Sequence, residues 1–266
     1  VAGNEYGAAE GSMGVDVGDF NRDGLPDITV TNYEFEDNDV YRNEGGGVFS
    51  HVTVPLGLSG PCRTYVGFGT VWTDLDMDGW EDLVVVNGHV TYRNRQSEFQ
   101  QPAFVFRNEL GTRFPDVTDS AAPWFSVPHS GRGLAVGDLN NDGAPDLVIS
   151  EVDGPVTILQ NTRPARNWIG IQPRGTISCT DAVGAKVHVV NPAVSSGQFV
   201  KSGGSYLSHG DRRLRFPLDD LSRKDVDVEI QWPTGVVEKF SALATNKYHI
   251  VKEGRGTSVE NTHGGD

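Results

Sequence analysis

Apolar and polar residues alternate along this chain in short runs, and the runs come in groups. Residues 13–20 alternate as a strand, 28–30 open a second, 39–43 make a third and 48–54 a fourth. Between the last two lies the turn Glu44-Gly45-Gly46-Gly47, so the spacing predicts one small antiparallel sheet. The grammar returns at 67–75, 82–86, 104–108 and 114–118, with an insertion over 87–102, and again at 133–139, 146–150 and 155–161. Four-stranded repeats of this length predict propeller blades set around an axis. From 168 the spacing changes. The runs 168–171, 185–190, 198–201, 213–216, 226–232, 236–240 and 248–251 predict a β-sandwich-like domain. The expected organisation is all-β: about three four-stranded blades over 1–162, a sandwich-like domain over 163–253, and a polar, Gly-rich flexible tail over 254–266.

Between the first two strands of every repeat stands the same nine-residue pattern, D-x-[DN]-x-D-G-x-x-D. It reads Asp19-Phe20-Asn21-Arg22-Asp23-Gly24-Leu25-Pro26-Asp27, then Asp74-Leu75-Asp76-Met77-Asp78-Gly79-Trp80-Glu81-Asp82, then Asp138-Leu139-Asn140-Asn141-Asp142-Gly143-Ala144-Pro145-Asp146. Asx residues and Gly also make plain tight turns. A plain turn does not need oxygen side chains at positions 1, 3, 5 and 9. A hard cation does: calcium takes six to eight oxygens at about 2.3–2.6 Å, and the carbonyl of position 7 (Leu25, Trp80 or Ala144) adds one more. The expected ligands are therefore Asp19, Asn21, Asp23, Leu25 and Asp27; Asp74, Asp76, Asp78, Trp80 and Asp82; Asp138, Asn140, Asp142, Ala144 and Asp146, for about three calcium ions. An EF-hand does not fit, because position 12 is Val30, Val85 or Ile149 within a strand-like run instead of a bidentate Glu after a helix.

Charge sharpens this picture. Asp plus Glu number 36 against 22 Lys plus Arg, for a formal charge of −14, which argues against a nucleic-acid partner. No apolar run approaches the roughly eighteen residues of a membrane-spanning helix. Millimolar calcium outside the cell fills even weak sites, so the expected location is secreted, periplasmic or cell-surface. Cys62 and Cys179 are too few for a disulfide framework, and a single long-range bridge between them stays open.

The three acidic units resemble FG-GAP or VCBS-type propeller repeats, on Gly67-Phe68-Gly69-Thr70, Asn87-Gly88-His89-Val90 and Arg132-Gly133-Leu134-Ala135-Val136-Gly137-Asp138. The last domain resembles the ASPIC/UnbV domain, on Asp181-Ala182-Val183-Gly184-Ala185-Lys186-Val187, Gly203-Gly204-Ser205-Tyr206-Leu207-Ser208 and Val228-Glu229-Ile230-Gln231-Trp232-Pro233-Thr234-Gly235. Together they are similar to the cartilage acidic protein family and its bacterial relatives. The resemblance implies a seven-bladed calcium-bearing propeller followed by the sandwich-like domain, of which this chain would hold the last three blades. The expected partners are then the remaining blades or another protein subunit. The chain departs from the family pattern at Cys179-Thr180 and at Phe216-Pro217-Leu218-Asp219.

No catalytic constellation emerges. The seven histidines form neither H-x-x-x-H nor H-E-x-x-H, and Ser205 and Ser208 lack a G-x-S-x-G elbow. His89 is expected to pack or turn; Trp72, Trp80, Trp168 and Trp232 are expected to pack, and Trp124 to stand exposed. Two functional readings follow. One is an extracellular calcium-binding module that presents loops to a protein or glycan. The other is an enzyme, of secondary metabolism or carbohydrate chemistry, with a pocket on the propeller axis or at the domain boundary.

Overall fold

The computed structural model describes residues 3–4, 6–92, 97–163, 167–190, 197–218 and 221–259. The first sheet runs β1 (Val15–Gly18), β2 (Asp27–Val30), β3 (Asp39–Asn43) and β4 (Phe49–His51), all antiparallel neighbours. β5 (Gly67–Thr73), β6 (Asp82–Asn87) and β7 (Phe104–Phe106) form the second. After the short helix α1 (Thr118–Ala121), the third comprises β8 (Gly131–Gly137), β9 (Asp146–Glu151) and β10 (Thr157–Leu159). The fourth strand expected over 114–118 does not form as such. A single bridge joins Phe106 to Asp116, and the Asp116 carboxylate then accepts the Thr118 N–H at 2.9 Å. Arg107 N–H to Pro115 O and Val117 N–H to Val105 O hold the chain along β7 as far as Val117, where the local bond turns it into α1.

The sheets stack face to face like blades. Phe20, Val40, Trp72, Leu83, Phe106 and Phe114 fill the space between the first two, and Val84, Val105, Leu134, Leu147 and Ile149 that between the second and third. The innermost strands β1, β5 and β8 lie side by side. The blades form an open array, not a closed barrel.

The terminal domain is a sandwich of two sheets. β11 (Trp168–Arg174) lies between β14 (Leu214–Pro217) and parallel β17 (Tyr248–Lys252). Facing it are β13 (Gly197–Phe199), β12 (Lys186–Val190), β15 (Asp225–Gln231), β16 (Val237–Ala244) and β18 (Thr257–Ser258), in that spatial order. Alternation places Val226, Val228 and Ile230 of β15 inward, against Ile169, Ile171 and Phe216 of the other sheet. Of the expected tail, Thr257 and Ser258 extend the sheet edge. Residues 260–266, Asp219, and 164–166 at the expected boundary lie outside the described residues.

Between β13 and β14 the chain crosses the inner strands of all three blades. Lys201 Nζ meets Asp16 Oδ1 at 2.9 Å, Ser205 bridges to Val15 and accepts the Thr70 N–H at 3.1 Å, and Asp211 N–H donates to Val136 O at 2.8 Å. Gly203 and Gly204 take φ of 91° and 152° there, which a side chain would resist. The cysteines do not pair: Cys62 is buried in the first inter-blade core and Cys179 is exposed. His89 is 1 % exposed, Trp72, Trp168 and Trp232 are buried, and Trp124 is half-buried, stacked on His129 at 4.0 Å.

Candidate metal centre

Each acidic loop is the connection between the first two strands of a blade, and the register closes it identically three times. The residue before position 1 pairs with position 9: Gly18 with Asp27, Thr73 with Asp82, Gly137 with Asp146. The backbone between is bent by left-handed residues at positions 4 and 6. Arg22 and Gly24 have φ of 60° and 85°, Met77 and Gly79 59° and 89°, Asn141 and Gly143 60° and 92°. Glycine relieves only the second of these, so position 4 carries strain at a non-glycine residue in every copy.

The side chains repeat as faithfully. Position 1 accepts the position-6 N–H through Oδ2: Gly24 to Asp19 at 2.9 Å, Gly79 to Asp74 at 2.7 Å, Gly143 to Asp138 at 2.8 Å. Position 5 accepts the position-7 N–H: Leu25 to Asp23 at 2.8 Å, Trp80 to Asp78 at 2.9 Å, Ala144 to Asp142 at 2.8 Å. At position 3, Asn21 and Asn140 donate to the carboxylates of Asp23 and Asp142, both at 2.7 Å. Where Asp76 replaces the amide, Asp74, Asp76 and Asp78 bring carboxylate oxygens within 4.8 Å of one another.

Position 9 does different work. Both oxygens of Asp27, Asp82 and Asp146 accept backbone N–H groups, one from position 2 of the loop and one from the end of the blade's third strand. The second donor is always an asparagine: Asn43, Asn108 or Asn161, each at 2.8 Å. Its amide donates onward, from Asn108 to Phe20 O at 2.9 Å and from Asn161 to Leu75 O at 2.8 Å, into the preceding blade's loop. These asparagines escaped the sequence reading although the signal was present, an Asn closing the third strand in every repeat.

Crowded carboxylates without a counter-ion are held toward protonation. Burial first, then neighbouring Asp23, pushes Asp19 up to about 6. Burial and the Asp23 and Asp19 charges raise Asp27 to about 7, against its backbone hydrogen bonds. Burial and the Asp76 and Asp78 charges take Asp82 to about 7, and Asp74 and Asp78 are raised by burial and by neighbouring carboxylates. Asp19 Oδ1 and Asp76 Oδ1 are buried with no hydrogen-bond partner. Such orphaned oxygens, in a set containing only hard oxygen donors, fit a divalent cation.

The terminal domain reaches two of the loops. Lys186 Nζ donates to Gly24 O at 2.7 Å; Tyr248 OH donates to Asp138 Oδ2 at 2.6 Å, and Arg213 to Asp138 O at 2.8 Å.

Fold and loops together define a protein of propeller-type β-repeats with acidic hairpin loops, joined to a β-sandwich. Residues 19–85 and 74–149 match the family described as FG-GAP-like repeat, and residues 175–258 match ASPIC and UnbV. The chain carries FG-GAP-like repeats followed by an ASPIC and UnbV domain and is homologous to cartilage acidic protein 1. It is 27 % identical to the Mus musculus protein over 252 residues, 90 % of this chain and 36 % of that one. Integrin alpha-3 of Cricetulus griseus is 36 % identical over 86 residues, 32 % of this chain and 8 % of the integrin. The chain thus spans about a third of one relative and under a tenth of the other. A solved Agrocybe aegerita lectin that recognises non-reducing terminal N-acetylglucosamine aligns over 59 % of this chain and 40 % of its own, at 24 % identity and a TM-score of 0.35, too loose a likeness to bear on function.

Proposed function

We propose that each acidic loop binds one calcium ion and that the chain is an extracellular module, secreted, periplasmic or surface-held, whose ion-tied blades present loops to a protein or glycan partner. The ligands would be the side chains of Asp19, Asn21, Asp23 and Asp27 with the Leu25 carbonyl, and their equivalents in the other two loops. The ion supplies positive charge among carboxylates that otherwise repel. One observation carries this reading: three loops share one strained shape, while Asp19 Oδ1 and Asp76 Oδ1 are buried without donors. A loop made only to turn has no use for such oxygens.

The open flanks extend the proposal. On the outer face of the third blade Ala135, Val148 and Ile158 stand in one row across the sheet, Ile158 60 % exposed, and Val15 lies exposed on the first blade. Flanking blades, from a longer form of this chain or from another subunit, suit these faces. The enzyme reading gains no comparable support. The segment between β13 and β14 covers the inner strands, and the cavities at the domain junction measure about 80 and 60 Å³.

Metal analysis after purification in calcium buffer, with melts in excess calcium and in chelator, tests the proposal. An ion that binds only the native state at a hundred times its Kd adds about 2.7 kcal/mol per site, so the transition should rise by many degrees. Equal melts with no bound calcium would overturn it.

A further inference from the structure

The two inter-blade spaces are built on the same plan but filled differently. Asn108 reaching Phe20 O and Asn161 reaching Leu75 O mark equivalent positions in the two spaces. By that register Phe20, Trp72 and Phe106 of the first correspond to Leu75, Val136 and Leu159 of the second. In the first, Phe20 stacks on Trp72 at 5.7 Å and Phe114 closes edge-on against both, at 5.8 and 5.5 Å. In the second no ring stands at the three equivalent positions. Among the described residues Phe114 has no counterpart either, the next strand being β11 of the sandwich. The helix that roofs this side ends in Ala121 and Ala122, too small to fill the gap.

The result is a crevice of about 290 Å³ floored by Val105, Phe125, Leu147 and Leu159. Arg107 and Arg163 stand at its polar edge, together with Asp76 and Asp82 of the second acidic loop. Arg107 meets the exposed Glu109 at 3.1 Å and Arg163 the largely buried Asp76 at a longer 3.7 Å, with 48 % and 63 % of the arginine side chains exposed. The exposed Arg107–Glu109 pair holds little energy and exchanges readily for another anion, and Arg163 reaches Asp76 only at 3.7 Å with its own head mostly in solvent.

We propose that this crevice binds a small aromatic carboxylate, whose ring takes the volume that side chains fill between the first two blades and whose carboxylate meets Arg107 and Arg163. The proposal does not rest on the calcium reading. It is tested on the full chain with 3-phenylpropanoate, followed by calorimetry and by ligand-observed NMR. Saturable one-to-one binding at or below millimolar Kd is expected. At least tenfold weaker binding is expected for 3-phenylpropanamide and for the Arg107→Ala/Arg163→Ala double variant. Leu159→Phe restores the residue found at Phe106 and should abolish binding while leaving the melting temperature equal or higher; Ala121→Leu fills the same space from the roof and stands in if Leu159→Phe folds poorly. No saturable binding, or binding untouched by either filling variant, overturns the site. Equal binding of the acid and the amide, with no effect of the arginine changes, overturns the carboxylate assignment.

Discussion

Glu253, four per cent exposed, shows how one residue can hold a turn that its own sequence does not specify. Burial alone would raise its pKa. The N–H groups of Thr176, Ile177 and Ser178 and the Ser178 hydroxyl all donate to it at 2.7–3.0 Å, outweigh burial, and hold it at about 2. The folded value lies below the ordinary 4.5, so the native state binds fewer protons than the unfolded chain between them. Its stabilisation is therefore complete above about 4.5 and is lost as pH falls toward 2. Glu253→Gln should melt several degrees lower at pH 7 and approach the parent near pH 3. Melts with an offset constant across that range would refute the assignment. Gly143 makes a second point at this scale. It has a φ of 92°, and a Cβ there would strike the Trp168 ring, whereas Gly24, at 85°, faces only the flexible end of Lys186. Both substitutions to Ala cost about 1–2 kcal/mol of backbone strain. Gly143→Ala should cost clearly more by denaturant titration, and equal losses would show that Trp168 yields freely.

At the scale of the element, the hairpin and its loop form one cooperative piece, and that piece was legible from the amino acids. Strict alternation interrupted by D-G marked β2, β3, β6 and β9 nearly to the residue, because an acidic loop between two apolar runs admits only one register. What followed the third strand of the second blade was not legible. The outcome there rests on Asp116 capturing the Thr118 N–H, a bond between neighbours that competes with strand pairing and leaves no periodic trace. Asn108 and Asn161 escaped for a related reason: their partners lie 88 and 86 residues away, in another blade. The loops are joined through these amides while each closes within its own hairpin. Asp76→Ala should accordingly lower affinity at the second loop and leave the other two loaded. Calcium calorimetry should lose one site of three; loss of all three would mean that the loops fill as a unit. Asn108→Ala, in contrast, should leave calcium stoichiometry unchanged and loosen the first two blades, seen as faster hydrogen exchange in β6 and β7.

For the whole molecule the decisive contacts are those by which the sandwich grips the blades. Their existence was hidden in the sequence, where Gly203-Gly204-Ser205 reads as a turn within its own domain. Lys201 carries the most. Its ammonium meets both oxygens of Asp16, at 2.9 and 3.0 Å, and the Val17 carbonyl at 2.7 Å, and the Asp16 side chain is 4 % exposed. Removing the cation leaves Asp16 with the Trp72 N–H at 2.8 Å and no counter-charge. A fully buried pair broken in this way costs about 3–5 kcal/mol; with Lys201 about a third exposed, about 2 kcal/mol is the reasonable figure. The loss falls on the junction rather than on either core, since the sandwich core and the inter-blade cores share no residue. The parent chain should therefore unfold in one calorimetric transition in calcium, and Lys201→Met in two, the sandwich separating from the blades. Should the variant melt in a single transition at an unchanged temperature, the grip would lie instead in Lys186, Arg213 and Tyr248 at the metal loops, and chelator, not this substitution, would split the parent's transition.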